Sequence, residues 1–156
     1  MIIQVASLKD MEEICDLSNE INNMHCERMP VDFKPPDSRM RDAPHWKTYI
    51  DDSDGIIYVA EYEGKVVGAI CAKCILNTIV PFIYHRKKCH IGTIVVSNKY
   101  IRTGIGKLLM KKIENFAKEQ GCEEICLEVM KFNVEAQQFY FSLGYDELSI
   151  KMRKNI

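Results

Sequence analysis

At 156 residues, 47% of them hydrophobic and 28% charged, the chain is long enough to bury a core without disulfide or metal staples. A net charge of −1 at pH 7 leaves no basic footprint for nucleic acid. No stretch approaches membrane-spanning length, and the start Met1-Ile2-Ile3-Gln4-Val5 lacks the basic flank and apolar run of an export signal; a soluble, cytoplasmic protein with no membrane partner is expected.

In chain order, Ile2 to Val5 reads as a first strand. Ser7 is an N-cap, and Leu8, Met11, Ile14, Cys15, Leu17, Ser18 and Ile21 recur at helical spacing, so a helix is predicted to end near Asn22 or Asn23. From His25 to Pro44 four prolines break any long element, and Trp46, Tyr49 and Ile50 suggest a short second helix. Strands are predicted over Gly55 to Tyr62 and Lys65 to Leu76, joined by a tight turn at Glu63-Gly64. The connection from Asn77 to Lys88 carries the basic cluster His85-Arg86-Lys87-Lys88, which reads as a solvated hairpin tip or as a rim that attracts acidic groups.

A β-branched run, Thr93 to Val96, forms the next strand. It leads through Ile101-Arg102-Thr103-Gly104-Ile105-Gly106 and then Lys107 into a helix that ends at Gly121. Its predicted apolar stripe is Ile105, Leu108, Leu109, Ile113, Phe116 and Ala117. Glu124 to Met130 is a strand, Asn133 opens a last helix bounded by Gly144, and Tyr145 to Ile156 closes the chain as a strand with Leu148, Ile150 and Met152 on one face. The sum is one α/β domain, residues 1–156, with three layers around a mixed sheet.

The seven cysteines are odd in number and read as reduced thiols. Cys71 and Cys74 lie three apart in a strand and so face opposite sides, while Cys122 and Cys126 have no partner at ligand spacing; no metal site is expected. His25, His45, His85 and His90 show no spacing of a triad or ligand set.

Strand, glycine turn and helix together suit an anion. The first N–H groups of a helix lack internal partners, the helix dipole is positive there, and Gly104 and Gly106 leave the backbone open. A Walker loop is excluded, because Ile101 and Leu108 stand where it requires Gly and Ser or Thr. A dinucleotide fingerprint is excluded by Leu109. The turn from Ile101 to Gly106 resembles the pyrophosphate loop of the GCN5-related N-acetyltransferase (GNAT) family, Gln/Arg-x-x-Gly-x-Gly/Ala, with Ile101 departing from the usual first residue. Leu127-Glu128-Val129, Asn133, Tyr140 and Leu143-Gly144-Tyr145 are similar to the family's strand-loop-helix pattern.

The resemblance implies a mostly antiparallel mixed sheet of about six or seven strands with about four helices, and acetyl-CoA, or coenzyme A, as co-substrate. It implies that Ile94, Val95 and Val96 offer backbone groups to the pantetheine arm and thioester carbonyl beside a β-bulge, with the Val96 N–H as oxyanion donor. Residues Ile101 to Lys107 then hold the diphosphate, and Asn133 bonds the pantetheine. It further implies that Tyr140 is the general acid and Glu128 the base, acting through a water. The acceptor is expected beside the long loop, at His25, Glu27, Asp32 and Phe33. A small primary amine is the first reading of that acceptor, and a protein N-terminus or lysine the second. A coenzyme A binding module without turnover is the reading from another class, favoured only by Ile101. Members often end in a longer hairpin, whereas twelve residues follow Gly144 here; an open sheet edge completed by a second copy is therefore expected.

Overall fold

The computed structural model describes residues 1–156. Strands β1 (Ile2–Val5), β2 (Gly55–Tyr62), β3 (Lys65–Leu76), β4 (Lys87–Val96) and β5 (Glu124–Leu127) form one sheet in chain order. The first three pairings are antiparallel, and β4 with β5 is parallel. Helices α1 (Met11–Arg28) and α2 (Ala43–Ile50) cover one face, where Ile14, Cys15, Leu17 and Trp46 pack on Ile57, Val59, Cys71 and Val95. Helix α3 (Ile105–Glu119) covers the other, with Leu109, Met110 and Ile113 on Ile70, Ala72, Cys89 and Ile91, and α4 (Val134–Ser142) adds Phe139 and Tyr140. The sheet is a central layer because β3 is apolar on both faces, as its sequence VVGAICA requires.

Several boundaries differ from the sequence reading. The sheet has five strands, not six or seven, because the segment after Tyr145 pairs with nothing; Leu148, Ile150 and Met152 are 78%, 86% and 90% exposed. Period-two alternation specifies an extended backbone but not a neighbour. Strand β5 stops at Leu127 rather than Met130, where its partner β4 bends away. Helix α1 continues past Asn22 to Arg28. The Asn22 side chain is bound by Asp42, so it does not turn back onto its own backbone to end the helix. Leu108 is exposed and Met110 takes its place in the α3 core stripe, while Phe116 is partly buried.

The remaining signals behave as their chemistry requires. Ser7 donates from N and Oγ to the Asp10 carboxylate, at 2.7 and 3.0 Å, and so starts the first helical turn. Cys71 belongs to the α1/α2 face, and Cys74 turns the other way, 3.4 Å from Cys122.

Burial pushes the Cys71 and Cys89 thiols from 9.0 up to about 12. Protons held by the folded chain after the unfolded chain has released them make stability full below pH 9 and progressively lost as pH rises toward 12. Denaturant midpoints measured across that interval should fall, and the Cys71→Ala/Cys89→Ala double variant should show a flatter decline.

Candidate functional site

The site begins with a parting of strands. Strands β4 and β5 are paired only from Lys88↔Glu124 to Ile91↔Leu127, after which β4 runs on to Val96 paired with β3 alone. At the same point β4 bulges: Ala72 faces Ile91 and Cys71 faces Thr93, so Gly92 is the extra residue. Beyond the bulge the Ser97 N–H bonds the Val67 carbonyl at 2.9 Å. Alternation along an antiparallel pair then turns the backbone groups of Val95 and Thr93 toward β3, and those of Ile94 and Val96 toward the side that β5 has left. The Val96 N–H is thus a main-chain donor facing a gap.

Tyr49 of α2 fills the space that a Gly92 side chain would take. A Cβ there would run into the Tyr49 hydroxyl, with the ring carbon that carries it at 2.7 Å and Cys71 Sγ at 3.3 Å. Burial pushes the Tyr49 phenol up to about 12.

The chain then enters α3 through a turn that leaves main-chain N–H groups free. Arg102 and Gly104 have φ of 63° and 89°, the left-handed region, and Arg102 is a non-glycine residue held there. Thr103 Oγ1 donates to the Tyr100 carbonyl at 2.5 Å. The first intrahelical bond is Leu108 N–H to Gly104 O, at 3.1 Å, so the N–H groups of Ile105, Gly106 and Lys107 lack helical partners. A Cβ on Gly104 would meet nothing within 4 Å, so this end of the helix is open. The Ile105 side chain is core, while Ile101, Arg102, Thr103 and Lys107 are exposed.

Helix α4 closes the other side. Asn133 caps it by accepting the Ala136 N–H at 3.1 Å, and Phe139 packs over Gly106, whose Cβ would stand 3.2 Å from the ring. Arg102 reaches Glu135 across the mouth at 3.6 Å. Tyr140 sits between Phe139 and Tyr145, with ring centroids at 5.4 and 5.9 Å, and burial pushes its phenol up to about 12. Glu128 is exposed just past the end of β5.

On the α1/α2 face lies an open cleft of about 400 Å³, the size of a small-molecule site. Two of the residues expected there from sequence line it, Asp32 and Phe33. His25 stacks on Phe33 and Phe132 at 4.9 and 5.4 Å and forms a wall behind it, whereas Glu27 is exposed and outside the lining. Asp32 is paired with Arg153. Sequence reasoning missed Ser18, Asn22, Arg41, Asp42, His45 and Thr93. One signal was available: Ser18 and Asn22, a helical turn apart, put two polar groups where the α1 stripe should be apolar.

With this geometry, residues 18–145 match the acetyltransferase (GNAT) family. The chain belongs to that family. An uncharacterised N-acetyltransferase of Methanocaldococcus jannaschii is 30% identical over 146 residues, 93% of this chain and 78% of that protein. Human N-acetyltransferase 8B is 29% identical over 99 residues, 64% of this chain; the chain spans only 42% of that relative's length. A Bacillus halodurans protein of known structure shares the GNAT fold with a TM-score of 0.93 at 23% identity, over 100% of this chain and 99% of that one. An aminoglycoside N-acetyltransferase in complex with CoA superposes with a TM-score of 0.73 at 15% identity, over 99% and 100%.

Replacing Gly92 by Ala tests the parting of the strands. Overpacking against Tyr49 should cost about 1–3 kcal/mol of stability, read by denaturant unfolding, and should weaken coenzyme A binding, read by calorimetry. Unchanged stability and binding would show that the bulge tolerates a side chain.

Proposed function

We propose that this protein transfers the acetyl group of acetyl-CoA directly to a primary amine of a small molecule. The observation that carries the reading is the Val96 N–H facing the gap between β4 and β5, next to the bare N-terminus of α3, where Phe139 packs over Gly106 and Tyr140 lies against Phe139. The residues fit the co-substrate. Backbone groups from Ile101 to Lys107 would hold its diphosphate, and those of Ile94 and Val96, with Asn133, its pantetheine; Val95, expected from the sequence to join them, turns its backbone groups toward β3 instead. Bound there, acetyl-CoA supplies an activated acyl group on a thiol leaving group.

The chain's own groups do the rest. The Val96 N–H is fixed before reaction and offers a hydrogen bond to an oxygen that gains negative charge, which is where a preset donor helps most. Tyr140 holds its proton at neutral pH because ionisation within its partly buried surroundings is unfavourable, so it can give that proton to a departing sulfur. Glu128 stands in water at the mouth of the gap, placed to draw in an ammonium and to take its proton through a solvent molecule. No cysteine nucleophile is required, since a neutral amine attacks unaided. The small-molecule acceptor is supported by the size of the cleft and by its mostly polar lining.

The test is free-thiol release from acetyl-CoA with a panel of spermidine, tyramine, kanamycin and a short peptide with a free N-terminus. Release with one of the small amines and not the peptide is expected; release with the peptide alone would move the acceptor to protein, and coenzyme A binding without any release would leave a binding module. Tyr140→Phe should lower kcat about a hundredfold or more while coenzyme A affinity holds. Because the Tyr140 proton is lost only near pH 12, the wild-type rate should show no alkaline fall near pH 10, where a free phenol would ionise.

A further inference from the structure

Helix α2 brings an imidazole to the acceptor side of the gap, and the reading above leaves it without a role. The helix is anchored at its start. Asp42, its N-cap, accepts from Ser18 Oγ at 2.6 Å, from Asn22 and from Arg41 Nε at 2.9 Å, and Trp46 is wholly buried against the sheet. One residue before Trp46, the His45 ring is held edge-on to Trp46 and Tyr49, at 5.8 and 5.5 Å. Its Nε2 lies 3.3 Å from Thr93 Oγ1. Thr93 is the first residue after the Gly92 bulge, so the imidazole touches β4 where β5 has just stopped pairing. The rest of the ring opens into the cleft.

We infer that His45 is the group that takes the proton from the acceptor amine, which binds in the cleft between Asp42 and Thr93. This rests on the acetyl-transfer reading and names a direct base for it in place of water-linked Glu128. On becoming an amide, the ammonium nitrogen loses two protons. One passes to His45 and on to water; the other makes good the proton that Tyr140 gives to sulfur, while the C–N bond forms and the C–S bond breaks.

The electrostatics around the ring agree. From α2 itself Asp42 and Tyr49 face it, from β4 Thr93, from α1 the neutral Ser18 and Asn22, and from the loop before α2 Asp32, Lys34 and Arg41. Burial opposes ionisation of Asp42, but bonds from Arg41 and Ser18 outweigh it and hold the carboxyl below its ordinary range, so it is an anion that attracts the ammonium. Burial likewise lowers the His45 pKa below 6.5, with Asp42 pulling the other way. A ring that is neutral near neutrality can receive a proton.

The experiment measures kcat for the amine turned over best in the panel of spermidine, tyramine, kanamycin and peptide, as a function of pH. Wild-type kcat should rise through an inflection below pH 6.5 and then level. His45→Gln should lower kcat about a hundredfold or more and lose that inflection while coenzyme A affinity is kept, and added imidazole should restore part of the rate of His45→Ala. An inflection that survives in His45→Gln with kcat within a few-fold of wild type, or one that disappears in Glu128→Gln instead, would overturn the assignment. If His45→Gln loses coenzyme A affinity through a folding defect, the imidazole arm decides: no rescue overturns it. Failure of the wild type to release thiol with any amine would sink both readings; release by the wild type with an indifferent His45 sinks this one alone.

Discussion

The structure depends on two parallel strands that stop being partners halfway along. Backbone N–H and C=O groups in a sheet interior are normally paired, and leaving them unpaired is costly unless something else binds them. Here Gly92 adds one residue to β4 just where β5 ends, and the groups of Ile94 and Val96 face the gap that results. This gap runs between two helix layers, α1/α2 on one face and α3/α4 on the other. It therefore lies between the open turn at the start of α3 and the cleft on the opposite side of the sheet. Family membership is consistent with this geometry.

Helix α2 is short, yet much is tied to it. Its N-cap Asp42 is fixed to α1, Trp46 is sealed into the core, and Tyr49 lies in the hollow left by the missing Cβ of Gly92. The same helix therefore supports the bulge through Tyr49 and lines the cleft through His45. A change that loosens α2 acts on both, so the cleft and the gap are mechanically linked.

Much of the architecture was legible in sequence, where the governing interactions are local. The Glu63-Gly64 turn, the Gly121 stop of α3 and the Asn133 cap are each decided within a few residues, and each signal fell in the right place. What escaped notice depends on partners far along the chain. Nothing near Asn22 says that Asp42 will bind it, and so α1 was cut short. His45 gains its setting from Thr93, 48 residues on, and as one of four scattered histidines it carried no pattern. The last segment failed in the opposite sense: its alternation was real, but period two does not name a neighbour, and the segment pairs with neither open edge of the sheet. Of the two acid–base positions carried over from the family pattern, Tyr140 lies in a partly buried aromatic setting, whereas Glu128 lies in open water.

That final segment is nevertheless tethered at one point. Arg153 pairs with Asp32, which belongs to the long loop and lines the cleft. An affinity tag fused behind Ile156 sits three residues from this tether, so it bears on the loop beside the cleft. Preparations that differ only in where the tag is attached can therefore differ in the shape of that cleft.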